Sequence, residues 1–354
     1  MSARILQLYT ANAKGVVGYR ICPLPDISSA TVRREVNGEY SLTATLPNGG
    51  DFEDMIQLGR AIKTTVNEAG KEQYFIIKRR SRSLLGEMQI YAEHQSYYYN
   101  GCVLRGGGGS SSVSPQLSFL QLYNSAKPSI RDLATFTYSR ENAQQHMVPM
   151  VTRPTPLREL MLHWLLDAHG GELIFDGFNV EYVDRMGADN GAFYRWGVNL
   201  TDMGSEDILD GYASGIFPYW GSIDPRTNTG VVTIDDWIVP FPGTFPLEVY
   251  TPVDFTEKFD TQPTKEALLA AAQEYVANNA PDGIPISIRA SRVRVEGDTA
   301  VDLGDTVRVI NTPWGVDQKT RIFALNFDAL QGRVIDVQFG TVNPGFAGAV
   351  KNMR

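Results

Sequence analysis

The feature that most constrains this sequence is the alternation of apolar and polar residues in short runs separated by turn residues. In Glu39-Tyr-Ser-Leu-Thr-Ala-Thr-Leu-Pro47, residues Tyr40, Leu42, Ala44 and Leu46 share one face while Ser41, Thr43 and Thr45 share the other. A period of two is that of a half-buried strand. Asn37-Gly38 ahead of it is a tight-hairpin signal, and Asn48-Gly49-Gly50 after it is a turn. Further strands are expected at Ala61–Val66, Gln73–Arg79 and Met88–His94, with Asn67–Gly70 and Leu84–Gly86 between them. Strand and turn alternating at this pace over about 100 residues predict a small antiparallel barrel.

The middle of the chain reads differently. Arg105–Pro115 holds four glycines, Gly106–Gly109, then Ser110–Ser112, and marks a domain boundary or a mobile loop. No Lys-Ser/Thr follows the glycines, so a phosphate-cradling loop is not the reading. Thr155–His169 is the clearest helix. Thr155 can cap it, Pro156 suits its first turn, and Leu157, Leu160, Met161, Trp164, Leu165 and Ala168 make one apolar face before Gly170-Gly171. A hairpin follows, Glu172–Phe175 turning at Asp176-Gly177 into Asn179–Val183. Strands are expected around Gly211–Trp220 and Gly230–Ile234, and a second helix over Thr264–Asn278. Ile284–Gly340 is strand-rich again, with Ile286–Val295, Thr306–Ile310, Arg321–Phe327 and Arg333–Phe339.

One faint repeat connects the two strand-rich ends. Leu58-Gly59-Arg-Ala-Ile-Lys63 and Leu303-Gly304-Asp-Thr-Val-Arg308 begin alike, and each precedes a turn, an aromatic-rich strand and a closing strand at nearly the same offset. A Leu-Gly pair is common, so coincidence stays open beside a duplicated barrel.

Composition narrows the function. With 354 residues, 43 % of them apolar and 20 % charged, the chain has room for two or three globular domains at roughly 100–200 residues each. The formal net charge of −8 repels a nucleic-acid backbone. Its main basic run, Lys78-Arg79-Arg80-Ser81-Arg82, ends a strand and reads as a solvated edge or a subunit contact. Cys22 and Cys102 are expected to be buried free thiols in a protein made in a reducing compartment. No signal peptide is expected, and no run approaches the roughly 18 consecutive apolar residues of a membrane span.

Residues that could carry chemistry do not converge. His163 and His169 lie six apart, which is not the spacing that puts two ligands on one helix face, and His94 and His146 stand alone. Ser214 lacks the glycine frame of a nucleophile elbow, and Asp184–Gly191 lacks the rhythm of a calcium loop. No catalytic residue, metal site or cofactor is therefore expected.

The ordered pattern resembles the phage tail-tip baseplate hub and minor structural protein family, which includes the N-terminal region of tail-associated lysins and the prophage tail endopeptidases. It is carried by Glu35–Pro47, Ile56–Ile62, Gln73–Lys78, Gly170–Asp176 with Asp184-Arg185 and Asp189–Gly191, Val301–Val307 and Phe323–Leu330. The resemblance implies a mainly β fold with α/β inserts, similar to contractile-tail baseplate hubs: two similar small antiparallel β-barrels interleaved with α+β domains. The first barrel would span residues 1–105. Residues 106–198 with 245–283 would form the inserts, 199–244 with 284–343 the second barrel, and 344–354 a C-terminal tail. Three chains would form a ring of six barrels around a channel for DNA, in a homotrimer assembled in the host cytoplasm and located in the virion tail tip. The implied partners are the distal tail protein and tail tube, the tape measure protein, and receptor-binding or fibre proteins. A tail-associated cell-wall hydrolase or a host carbohydrate- or receptor-binding tail protein is the alternative. Tyr97, Tyr98, Tyr99, Tyr219 and Trp220 are candidate subunit-interface anchors, with burial in the chain's own core as the other reading of each.

Overall fold

The computed structural model describes residues 4–84, 86–106, 110–141, 144–148, 151, 153–207, 213–221, 232–234, 236–242, 247–259, 261–279, 286–292, 299–314 and 316–339. The C-terminal tail, Gly107–Gly109 and Gly230 of the sequence reading lie outside them. The described chain is mainly β with few helices, and it divides into two compact units. One is built from Met1–Gly204 with Ile288–Gly340, the other around Ser205–Ser287.

The first unit is organised by a sheet of 13 strands. Its first half contains β1 (Leu6–Ala11), β2 (Val17–Leu24), β3 (Ser29–Glu35), β4 (Tyr40–Pro47), β5 (Ala61–Thr65), β6 (Glu72–Arg82) and β7 (Glu87–His94). The second contains β8 (Leu200–Asp207), β9 (Ile286–Arg292), β10 (Thr306–Asn311), β11 (Val316–Asp328) and β12 (Arg333–Phe339). The strands run in the order β8-β9-β12-β11-β3-β4-β7-β6-β5-β1-β2. Strand β10 pairs with β11, and the short strand Phe193–Arg195 lies parallel on β10. The two halves are joined in one ladder where Ala324–Asp328 of β11 lie antiparallel to Thr31–Glu35 of β3. Among the described residues this path has two ends, β8 and β2.

The alternation read from β4 is the burial pattern found. Tyr40, Leu42, Ala44 and Leu46 are buried and Thr43 is exposed; Ser41 is buried too, donating to Glu39 Oε1 at 2.5 Å. These residues join Leu6, Leu8, Phe75, Ile77 and Ile90 with Val307, Val309, Phe327 and Phe339 in one apolar cluster drawn from both halves. Burial of this kind drives folding at roughly 25 cal/mol per Å² of apolar surface.

The repeat is a duplication of structure. Gly59 N–H donates to Ile77 O at 2.9 Å and Ile77 N–H to Arg60 O at 2.9 Å; Gly304 N–H donates to Ile322 O at 2.8 Å and Ile322 N–H to Asp305 O at 2.9 Å. Each residue of the second set sits 245 positions after its counterpart (59 to 304, 77 to 322). The registers obey the same shift: Ala61 faces Ile76 and Thr306 faces Arg321. Both long strands bulge at the same point, between Ile77 and Arg79 and between Ile322 and Ala324. A β-bulge at a matched position re-aims both strands in the same way. Gly59 and Gly304 stand at φ +83° and +87°, where a side chain is strained, which is why both copies need glycine there.

A second core lies over the helix Pro115–Ser125, the helical segment Leu157–His169 and the hairpin Glu172–Val183. Leu157, Leu160, Met161 and Leu165 are buried as the spacing predicts, and Leu160–Leu165 is wound as a π-helix. Thr155 and Pro156 pair with Val103-Leu104 in place of starting the helix. The hairpin turns at Gly177 (φ +58°) as expected. Helix Pro115–Ser125 is an addition to the sequence reading. Ser114 caps it by accepting from Leu117 N–H at 3.3 Å, Pro115 opens its first turn, and Phe119 and Leu122 are buried.

In the second unit, Gly215–Trp220 pairs parallel with Tyr250–Asp254 and antiparallel with Val239-Pro240 and Val232-Thr233. Helix Lys265–Asn279 packs Leu268, Ala271, Ala272 and Val276 against Ile216, Val239 and Phe241. This corrects the expected grouping, in which residues 199–244 belonged to a second barrel and residues 245–283 to a separate insert. The strand Tyr250–Asp254 and the helix complete the sheet and core begun by Gly215–Trp220, so described residues between Ala213 and Val276 share one core.

Candidate functional site

The expected interface aromatics are held within the chain's own packing. Gln95–Gly101 winds as a 3-10 helix, which puts Ser96 and Tyr99, three apart, on its buried side. Tyr99 has no exposed surface, and its hydroxyl donates to Phe178 O. It is a core residue, which is the second of the two readings open to it. Tyr97 is half-buried: Arg158 lies 4.1 Å over its ring, and its hydroxyl accepts from Tyr40 N–H at 3.3 Å. Tyr98 packs edge-on to Phe178 with centroids 5.9 Å apart. In the second unit Tyr219 hydrogen-bonds Asp254, and Trp220 donates from Nε1 to Phe259 O at 3.2 Å. Both are half-buried.

Arg158 is a residue the sequence reading missed. It is only 5 % exposed, its Nη2 donates to Gly38 O at 2.8 Å, and it lies 5.1 Å over Phe175 as well as on Tyr97. Burial holds its guanidinium below the usual range. An arginine one turn into an amphipathic helix is ordinarily solvated, so only the flanking Tyr97 could have signalled a stacking site.

The histidines serve structure. His94 is buried between Ser96 Oγ and Gln73 Oε1, each 3.0 Å away, and stacks on Tyr40. Burial, with Arg158, Lys71 and Arg34 adding to it, holds its pKa well below the ordinary value. His169 Nε2 meets Ser118 Oγ at 2.9 Å, and burial followed by His146 and Arg140 lowers its pKa to about 4. This is a serine–histidine contact, but Ser118 is 1 % exposed and, among the described residues, His169 Nδ1 has no hydrogen-bond partner to orient it. His163 and His146 are exposed. Among the described residues, no three of His, Cys, Asp and Glu are grouped to hold a metal. Cys22 and Cys102 are buried free thiols, and burial raises the pKa of each.

These histidines set a pH response. The unfolded chain takes up protons below about pH 6.5 that the folded His94 refuses, so stability falls as pH drops through that value and is complete above it. The expected slope is up to about 1.4 kcal/mol per pH unit from His94, with a smaller share from His169 ending near its folded pKa of about 4. Urea midpoints between about pH 7.5 and 5.5 should fall for the native chain and flatten for His94→Gln with His169→Gln. An equal fall in both chains would remove the histidines as the cause.

A cavity of about 240 Å³ lies where the two halves of the first unit meet, lined by Arg34, Asn37, Glu39, Tyr40, Lys71 and Asp302 among others. It falls short of the roughly 300 Å³ at which small-molecule pockets begin. Charged groups in and beside it pair within the chain. Arg34 pairs with Asp302, Asn67 Nδ2 donates to Asp302 Oδ2 at 2.8 Å, and Arg321 Nη2 donates to Glu172 Oε2 at 2.7 Å. Beyond it, two strand edges stand out. The last residues of β6, Lys78 to Arg82, are exposed, and among the described residues only β7 pairs with Arg79–Arg82. Strand β8 is an outer strand of the sheet. Unpaired edges of this kind are templates for another strand.

No protein-family model matches the sequence, and no curated protein does. Solved structures match along almost the whole chain. The prophage tail protein gp18 from Listeria monocytogenes EGD-e superposes with a TM-score of 0.61 at 14 % identity, covering 99 % of both chains. The tail protein from Neisseria meningitidis MC58 gives 0.61 at 13 % identity, again over 99 % of each. The 43 kDa tail protein of prophage MuSo2 from Shewanella oneidensis gives 0.57 at 12 % identity, over 97 % of this chain and 100 % of that one. At identities this low the likeness is one of architecture: the chain has the fold of prophage tail proteins.

Proposed function

We propose that this protein is a non-enzymatic structural subunit of a bacteriophage or prophage tail tip, a baseplate hub that assembles as a homotrimeric ring. The observation that carries the reading is the internal duplication, with the same register and the same bulge 245 positions apart, in a chain with the fold of prophage tail proteins. Each half would be one small barrel, and three chains would present six near-equivalent barrels around a channel. A sixfold tube could seat on such a ring without a mismatch of symmetry.

In this reading the distal tail protein and tail tube sit on one side of the ring, with the tape measure protein in the channel and fibre or receptor-binding proteins outside. The net charge of −8 suits a passage for DNA, because like charge disfavours adhesion to the phosphate backbone. Particles made without this chain are expected to carry incomplete tails and to lose infectivity. Complete tails on infectious particles would overturn the role. Zymography on peptidoglycan is expected to be blank, and a cleared band would replace the structural reading with the hydrolase.

A further inference from the structure

The duplication extends beyond the strands that carry the 245-position shift, and its extension identifies a second surface. Strand β3 flanks β4 as β8 flanks β9. Ser28 Oγ donates to Thr45 O at 3.0 Å, and Thr201 Oγ1 donates to Ser291 O at 3.0 Å. Burial agrees with this alignment. Ile27 and Ala30 are buried with Ser28 and Ser29 exposed between them, and Leu200 and Met203 are buried with Thr201 and Asp202 exposed. Ser28 therefore corresponds to Thr201, and Thr31 to Gly204. The sheet is two four-strand sets in series, β8-β9-β12-β11 and β3-β4-β7-β6.

Within one chain the sets join through the end of β11: Asp328 faces Thr31, Phe327 faces Val32, Asn326 faces Arg33 and Leu325 faces Arg34. Shifted back by 245, Leu325–Phe327 correspond to Arg80–Arg82 of β6, which have no such partner among the described residues. The strand that should supply one is the counterpart of β3, namely β8, on the outer edge of the other set.

We infer that Arg80–Arg82 of β6 in one chain pair antiparallel with Ser205–Asp207 of β8 in a second copy, repeating between chains the junction that β11 and β3 make within one. The register follows from the internal junction: Arg82 faces Ser205, Ser81 faces Glu206 and Arg80 faces Asp207. Charge fits this occupant, because Arg80 and Arg82 meet a strand whose sequence carries Glu206 and Asp207. The contact is head-to-tail, one edge type against another, so it propagates from chain to chain and closes only as a ring. It rests on the ring proposed above and supplies the contact that would build it.

Ser81→Cys combined with Glu206→Cys in the full chain tests the register. Under mild oxidation the pair should give covalent dimers and trimers on a non-reducing gel. The native chain, whose Cys22 and Cys102 are buried, and each single variant should give none. Charge exchange is the second arm. Arg80→Glu and Asp207→Arg should each weaken the trimer about tenfold or more, and the two together should restore it, because like charges directly opposite are disfavoured. A trimer by sedimentation that neither cross-links at this pair nor recovers in the double exchange overturns the pairing and leaves the ring standing. A chain that stays single at every soluble concentration overturns both.

Discussion

Replacing Gly187 by alanine is expected to cost at least about 4 kcal/mol and to leave little folded protein, given a total stability of roughly 5–15 kcal/mol. Gly187 stands at φ +80°, and a Cβ there would lie 2.1 Å from Gly304 C, 2.3 Å from Gly304 O and 2.4 Å from Asp305 N, all backbone atoms with no freedom to move aside. Gly304 faces it from the other segment, where a Cβ would lie 2.7 Å from Met186 O. Around this close approach, Arg321 donates from Nε to Gly304 O at 2.9 Å and from Nη2 to Met186 O at 2.9 Å, and Ala188 N–H donates to Asp305 Oδ1 at 2.8 Å. Gly59 is the control that the duplication provides. It has nearly the same φ as its counterpart Gly304 but nothing within 4 Å of its Cβ position, so Gly59→Ala should cost only the left-handed strain, about 1–2 kcal/mol. Urea denaturation of both variants separates them, and equal losses would show that the contact between the two glycines is not made.

Phe327→Ala is the second large effect, with an expected loss of about 3–5 kcal/mol. Phe327 has no exposed surface and faces Val32 across the β11–β3 junction, so its removal opens a cavity where the two halves join. Its counterpart 245 positions earlier is Arg82, which is exposed and pairs with Glu53. Arg82→Ala should cost under about 1 kcal/mol in a single chain, since exposed ion pairs contribute little. The same strand position is thus apolar where a strand covers it and basic where none does. Comparable losses at the two positions would break the correspondence between the halves.

Much of the fold was legible because its signal is local. The period of two in β4, the Asp176-Gly177 hairpin and the apolar stripe of Leu157–Leu165 each rest on neighbours in sequence, and each is found in the structure. The duplication was only faintly legible. Leu-Gly was its visible trace, while what defines it is register, a relation between strands that no single strand carries. The grouping of the second unit was misread for a similar reason. A parallel pairing of Gly215–Trp220 with Tyr250–Asp254 joins segments that alternation alone would assign to separate domains. The tyrosine run left two readings open because three adjacent aromatics do not show which of them faces inward. Wound into a 3-10 turn, every third residue faces inward, and Tyr99 took that place.

Cryo-electron microscopy of intact tails from the particle that contains this protein tests the ring of three chains most directly. The predicted image is a threefold ring of this chain at the distal end of the tube, with six similar β modules around an axial channel. A single copy off the axis, or tails complete without the chain, would contradict it.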